Sequence, residues 1–458
     1  MRPIDSARSR RKRRRRTRRR WQPPQLILAG FAAAAVAGTG LLMLPIAKAG
    51  EGGTDLLTAF FHAASSICVV GLSTVDTGTY WSVFGQVVIL LMVQIGGFGI
   101  MAFASLLGVL VTRRLGLRSR LTAAAETHNE GLGGVRGLLI RVASVGLVIE
   151  LISTLVLTVR FLTGYQYSFW KALYYGLFHS VTAFNNAGFG LRPDNMIGFA
   201  SDPWIILTIS AVVLLGSLGF PVLFELRREL RTPSRWSTHT KITVAMSALL
   251  FAIGTLFLTI TEWANPRTLG ALQPGGRILA GIFHSVSLRT AGFNSVDIGS
   301  MHDGTWLGMD VFMFIGGGSA GTSGGIKVTT FAVLLVAIVA EVRGERTLHA
   351  FGRRIASRTV RQALTVALLS VAAVVTATIV LTQITGFSTD QLLFEVVSCF
   401  GTVGLSTGIT AQLPGAALIV LTALMFLGRL GPVTLVSALA LRESERRYEY
   451  PESRPLIG

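Results

Sequence analysis

Four tripeptides ending in glycine stand at comparable places along this chain: Val69-Val70-Gly71, Asn186-Ala187-Gly188, Thr290-Ala291-Gly292 and Thr402-Val403-Gly404, each followed by Leu or Phe. The glycines are separated by 117, 104 and 112 residues (71 to 188, 188 to 292, 292 to 404). Segments of this type do their chemistry with the main chain. Rings of peptide carbonyls replace the hydration shell of a cation without a fixed charge that would hold the ion too tightly. Turning successive carbonyls to one side requires φ/ψ values that glycine tolerates and β-branched residues resist. One V-V-G or T-V-G alone is ordinary packing sequence in a membrane helix; four at corresponding positions predict an ion filter.

A second concentration of glycine, Gly316-Gly317-Gly318-Ser319-Ala320-Gly321-Thr322-Ser323-Gly324-Gly325, has six glycines in ten residues. No helix is stable through it, so the sequence predicts an unwound loop, permissible at membrane depth where it lines a cavity. Gly325-Ile326-Lys327 does not match a nucleotide-binding loop, in which lysine follows glycine directly. Lys327 and Arg429, the latter in an apolar run, are cations that must be paired or solvated at that depth. Five residues beyond the first and third filter glycines stand Asp76 and Asp297. Either they draw cations to an outer mouth or they hydrogen-bond their own loops. Nine residues before the glycines stand His62, His179, Phe283 and Glu395, and six before them Ser65, Thr182, Val286 and Ser398. His62, His179 and Glu395 read as hydrogen-bonding anchors of the segments that carry the filters.

Those segments need a scaffold, and composition says which solvent it faces. Of 458 residues 51% are apolar and 14% charged, and several uncharged runs exceed the ~20 residues that span a hydrocarbon core. Spans are expected near 25–46, 83–111, 138–163, 203–225, 239–260, 305–341, 361–383 and 415–441, with half-spans near 56–68, 170–184, 276–288 and 390–400. The unit is span, half-span, span, used four times in one orientation. The expected fold is therefore an all-α integral membrane protein: eight transmembrane helices in four tandem repeats, arranged with pseudo-fourfold symmetry around a central ion pore. The units are 25–112, 138–226, 238–342 (with the broken segment 316–325) and 357–442, between tails 1–24 and 443–458.

The net charge of +19 does not mark a nucleic-acid-binding surface, because its basic residues concentrate in the tail and the inter-repeat loops. Residues 2–20 hold eleven Arg and one Lys, and the loops carry Arg113, Arg114, Arg118 and Arg120, then Arg227, Arg228, Arg231 and Arg235, then Arg343, Arg346, Arg353, Arg354 and Arg358. By the positive-inside rule these parts and both termini are cytoplasmic, and the half-spans enter from outside. Cys68 and Cys399 fit neither a metal site nor a disulfide framework, and no general acid, base or nucleophile is implied, so no enzyme is expected. An ion-coupled secondary transporter of a polar solute is the alternative; such folds use inverted repeats and midplane carboxylates, whereas here the repeats are parallel and Glu150 is the only acid deep in an unbroken span.

The filters, read with their neighbours as Phe184-Asn185-Asn186-Ala187-Gly188-Phe189, Arg289-Thr290-Ala291-Gly292-Phe293-Asn294 and Thr402-Val403-Gly404-Leu405-Ser406, resemble the membrane subunit of the Ktr/Trk family of potassium transporters, as does the glycine-rich sixth span. The resemblance runs from about residue 25 to 442 and is closer to the shorter Ktr type. It implies K⁺ uptake across the cell membrane with selectivity set by the four glycines, 316–325 acting as a gate beneath the filter, and Arg429 bordering that gate. It also implies Na⁺ as an activator, a homodimer in membrane lipid, and a cytoplasmic RCK-type ring of nucleotide-binding regulatory subunits, with no nucleotide on this chain.

Overall fold

The computed structural model describes residues 23–114, 132–345 and 347–431. The Arg-rich tail up to residue 22, Arg118, Arg120, Arg346, the end of the last expected span and the tail 443–458 lie outside the described residues. The first unit contains α1 (Pro23–Leu42), α2 (Leu56–Ile67), the single turn α3 (Thr77–Tyr80) and α4 (Val83–Arg114). The second contains α5 (Leu132–Tyr165), α6 (Phe169–Phe184), α7 (Pro203–Leu218) and α8 (Phe220–Glu229). The third contains α9 (Thr238–Glu262), α10 (Pro274–Ser287), α11 (Asp303–Phe314) and α12 (Val328–Val342). The fourth contains α13 (Ser357–Ile384), α14 (Thr389–Gly401) and α15 (Gly415–Leu430).

Local chemistry sets several helix starts. Asp55 caps α2 by accepting from Thr58 N at 2.9 Å, and Asp202 caps α7 by accepting from Trp204 N at 3.0 Å, with Pro203 at the first helical position. Ser237 accepts from Thr240 N at 3.2 Å and opens α9. Among the described residues, three helical stretches are long and apolar enough to cross a bilayer: Leu139–Tyr165, Thr238–Glu262 and Ser357–Ile384. Their outer faces are apolar stripes at helical spacing, such as Leu147, Leu151 and Leu155 on α5 and Leu364, Leu368, Val371, Val375 and Ile379 on α13, all exposed. Polar residues lie inward instead. This inversion of the soluble pattern suits a hydrocarbon solvent.

Three expectations are corrected. The span 203–225 is not continuous: Gly219 (φ 90°) breaks it, and α7 and α8 meet at a 103° bend. A left-handed glycine also ends α15 at Gly431 (φ 79°). The fold is not purely helical, because His349–Ala350 (β1) and Arg353–Arg354 (β2) pair as a small antiparallel hairpin. The third correction lies in the register of unit 3, where Val286 and Phe283 do not occupy the places expected of them behind the turn.

The units pack in cyclic order. Each short helix lies along a long helix of its own unit, α2 on α1, α6 on α5, α10 on α9 and α14 on α13. It also touches the later helix of the preceding unit: α6 on α4, α10 on α7, α14 on α11, and α2 on α15, which closes the circle. The last turns of α2, α6, α10 and α14 are buried at the centre.

Candidate functional site: four converging turns

Each buried short helix ends in a turn with the same backbone. Val69, Asn186, Thr290 and Thr402 have φ of 55°, 60°, 72° and 51°, and the glycines two residues later have φ of 96°, 66°, 74° and 94°. Left-handed φ is a sterically strained state for the β-branched Val69, Thr290 and Thr402, of order 1–3 kcal/mol each. In units 1, 2 and 4 the helix C-terminus holds it there, through Val70 N→Ser65 O, Ala187 N→Thr182 O and Val403 N→Ser398 O, each 2.8 Å. These are the long bonds of a Schellman ending. With left-handed residues on both sides of a residue that is not, successive carbonyls turn toward a common side.

The four turns meet. A Cβ placed on Gly188 would stand 2.7 Å from Ala291 O and 2.8 Å from Gly292 Cα. One on Gly292 would stand 3.2 Å from both Gly188 Cα and Gly404 Cα, one on Gly404 3.2 Å from Gly71 Cα, and one on Gly71 3.4 Å from Gly188 Cα. Each glycine's nearest obstacle is the carbonyl of the middle residue in the next turn, in the order Ala187, Ala291, Val403, Val70 for Gly71, Gly188, Gly292 and Gly404. The result is a closed ring of main chain in which no side chain fits at the glycine positions.

The supports behind the ring differ between units. Ser65 Oγ accepts from Gly71 N and Ser398 Oγ from Gly404 N, both at 3.1 Å. Glu395 accepts from Ser406 Oγ, from Thr407 N at 3.2 Å and from Thr410 Oγ1 at 2.8 Å, so it anchors the segment that leaves the ring. His62 Nδ1 and His179 Nδ1 bond the carbonyls of Thr58 and Tyr175 within their own helices. In unit 3 the gapless register is off by one. Ala291 N bonds Ser287 O, four residues back rather than five, so Ser287 and His284 occupy the places assigned to Val286 and Phe283. His284 Nε2 accepts from Ser295 N at 3.2 Å, three residues past the glycine, as Glu395 does for Thr407 N. The physical reason is a turn one residue shorter. The visible signal was His284-Ser285-Val286-Ser287, which echoes His62 to Ser65 once a gap is allowed.

On the glycine side of the ring lies a cavity of about 340 Å³ lined by all four glycines together with Asp76, Asp297, Arg192 and Asp194. Asp76 accepts from Thr79 N at 2.7 Å, and Asp297 from Gly299 N at 3.1 Å and Ser300 Oγ at 2.7 Å. Both carboxylates thus cap their own loops while facing the same space. Arg192 and Asp194, which sequence reasoning passed over, form a two-bond ion pair at 2.7 and 2.9 Å. The Arg192 guanidinium holds the Asp194 carboxyl below the usual range, and Asp194 raises Arg192 in turn.

On the opposite side, the segment between α11 and α12 is unwound and buried. It closes on itself through Gly316 N→Ile326 O at 2.7 Å and Val328 N→Gly317 O at 3.1 Å. It is tied to the end of α7 by Gly318 N→Ser217 O at 2.8 Å and Thr322 N→Gly216 O at 3.1 Å. Asn186 joins it to the ring, its Nδ2 donating to Ser323 Oγ at 3.3 Å and its Oδ1 accepting from Thr322 Oγ1 at 3.2 Å. Lys327 Nζ donates to Ser323 O, and Arg429 donates to Thr322 O and, at 3.3 Å, to Gly96 O. Both cations therefore end on loop carbonyls. Gly318 and Gly321 pack on the carbonyls of Leu218, Gly216 and Ser217 and Gly325 on the backbone of Gly401, whereas Gly324 lies against the Thr402 side chain.

Three comparisons bear on this architecture. A solved structure, that of the potassium transporter TrkH from Vibrio parahaemolyticus, superposes with a TM-score of 0.73 over 93% of this chain and 87% of that one, at 17% identity; this shows the fold. The Ktr system potassium uptake protein B of Bacillus subtilis (strain 168) is 39% identical over 436 residues, 95% of this chain and 97% of that protein. The protein of the same name from Vibrio alginolyticus is 36% identical (95% of each chain), and the potassium/sodium uptake protein NtpJ of Enterococcus hirae is 34% identical (95% of this chain, 97% of that one). A family model described as TrkH, cation transport protein, matches residues 7–450. Matched along almost its whole length, the chain belongs to that family of membrane cation transport proteins.

Proposed function

We propose that this chain is the membrane subunit of a K⁺ uptake system in which the four turns form a selectivity filter of main-chain carbonyls. The observation that carries the reading is the closed cyclic contact of Gly71, Gly188, Gly292 and Gly404, each against the next turn's carbonyl. A ring built this way has no side-chain charge at the constriction, so discrimination among alkali cations rests on carbonyl number and geometry. The C-termini of α2, α6, α10 and α14 aim their negative dipole ends at the same centre and favour a cation there. The relatives named for potassium uptake support the choice of ion, and NtpJ, named for potassium and sodium, supports Na⁺ as a second ion that binds or activates.

In this reading the protein comprises eight spans with pseudo-fourfold symmetry in the cell membrane and has cytoplasmic termini. Ions enter through the cavity bordered by Asp76 and Asp297, shed water at the ring, and are stopped by the loop 316–325. Arg429 and Lys327 hold that loop closed by grasping Thr322 and Ser323 carbonyls. A homodimer bound to a cytoplasmic RCK-type ring of nucleotide-binding subunits controls the gate, with the basic inter-repeat loops as docking surface. The test is K⁺ and Na⁺ uptake in cells lacking their own K⁺ systems, comparing the wild type with Gly→Ser at 71, 188, 292 and 404. The expected outcome is K⁺ uptake by the wild type and loss of K⁺ preference at each position. Four variants with unchanged preference would remove the filter from these turns. Shortening 316–325 should raise flux; unchanged flux would remove the gate.

A further inference from the structure

One buried acid has no place in this ion path. Glu150 lies mid-helix on α5 and is 4% exposed, and among the described residues it forms no ion pair. A carboxyl group at such a depth is costly without strong partners. Its partners are amides. Gln94 Nε2, from α4 of the preceding unit, donates to both carboxyl oxygens at 2.9 and 3.0 Å. Asn185 Nδ2 donates to one of them at 3.3 Å and to Gln94 Oε1 at 2.7 Å, closing a three-residue ring of hydrogen bonds. Asn185 is the C-cap of α6 and immediately precedes Asn186, the left-handed residue of the second turn.

The same residue grips the short helix at a second point: Glu150 O accepts from Ser180 Oγ of α6 at 2.7 Å. Gly97 makes the arrangement possible, because any Cβ there would collide with the Asn185 amide. We propose that Glu150 is a positioning residue for the second filter turn: through Gln94 and Asn185 it fixes the orientation of Asn186-Ala187 and thereby sets the preference for K⁺ over Na⁺. The inference rests on the filter reading above. Its chemistry is orientational: the carboxylate accepts from both amides while Gln94 Oε1 accepts from Asn185 Nδ2, which fixes the way each amide faces. Replacing it with Gln turns one of the two oxygens that accept from Gln94 Nε2 into an N–H donor facing that amide, so Gln94 loses half of its hold and with it the fixed partner of Asn185 Nδ2.

The experiment compares wild type, Glu150→Gln and the exchange variant Gln94→Glu/Glu150→Gln in K⁺ and Na⁺ uptake, normalised to the amount of protein in the membrane. Glu150→Gln should lower the K⁺/Na⁺ preference about tenfold, the scale of one hydrogen bond to a charged acceptor. The exchange variant returns one carboxylate to the same ring, now carried by α4 and accepting from the new amide on α5 and from Asn185. It should recover the preference to within about twofold of wild type. Rescue of this kind is not expected if Glu150 merely fills space. An unchanged ratio in Glu150→Gln overturns the proposal, and so does a lowered ratio that the exchange leaves low. If Glu150→Gln fails to reach the membrane, the exchange variant decides: wild-type preference supports the proposal, and altered preference or absence from the membrane overturns it. A wild type that takes up no K⁺ overturns the filter reading itself, and is told apart by that control.

Discussion

Units 1 and 4 hold their turns differently from units 2 and 3. In units 1 and 4 a serine one helical turn back accepts the glycine N–H, Ser65 for Gly71 and Ser398 for Gly404, and the residue before the turn is small: Cys68 or Gly401. In units 2 and 3 that preceding residue is a large buried polar group tethered to a long helix. Asn185 binds Gln94 and Glu150, while Arg289 donates to Ser247 O at 2.9 Å and Ser247 Oγ at 3.0 Å on α9. All four turns nevertheless share the left-handed φ at their first and third residues. The difference teaches that the requirement lies on the main chain, and that the side chains behind it are interchangeable means of keeping strained residues in place.

The comparison can be broken at several points. The largest effect is expected at the tether of unit 3: Arg289→Ala removes two hydrogen bonds from a guanidinium, each worth roughly 1.5–3 kcal/mol, offset in part by relief of burying the group. Uptake assays should find the K⁺ preference lowered about tenfold, and thermal unfolding in detergent should shift downward. An Arg289→Ala protein as selective as wild type would mean that unit 3 needs no tether. A smaller effect is expected for Ser65→Ala and Ser398→Ala, each removing one neutral bond of about 1 kcal/mol; unfolding midpoints should fall slightly and selectivity by no more than about fivefold. If either serine variant were as severe as Arg289→Ala, the two pairs of units would not differ in kind.

The smallest effect belongs to the Arg192–Asp194 pair, which lines the cavity outside the turns. Asp194→Asn leaves Arg192 uncompensated facing incoming cations, so half-saturation for K⁺ should rise about twofold with maximal uptake unchanged, and added salt should erase the difference. The sign of the pH dependence follows from the lowered Asp194 carboxyl. The pair contributes fully above the carboxyl's unfolded-state value and fades only as pH falls through its depressed folded value, so uptake near neutrality should be indifferent to this pair. A neutral-pH dependence removed by Asp194→Asn would contradict that assignment.

What the sequence could reveal was the periodic part. Four glycines at similar spacing, uncharged runs of membrane length and a stretch too rich in glycine for a helix were legible because each is a local, repeated signal. The turn of unit 3 was misread because one residue is missing between Ser287 and Gly292, and a gapless comparison then sets Phe283 and Val286 where His284 and Ser287 belong. The bend at Gly219 was masked by the uninterrupted hydrophobicity of 203–225, which records the solvent and not the path. The ring of Gln94, Glu150 and Asn185 joins residues 56 and 91 positions apart. Such a contact exists only after the units have packed, so nothing in the local pattern announces it.

The most direct test is the position of a bound, electron-dense K⁺ surrogate such as Rb⁺ or Tl⁺ in crystals or frozen particles of the full protein. The account predicts density on the axis of the ring, within coordination distance of the carbonyls of Val70, Ala187, Ala291 and Val403, and its loss on Gly→Ser substitution in the turns. Density confined to Asp76, Asp297 or another carboxylate, with none between the four turns, would contradict it.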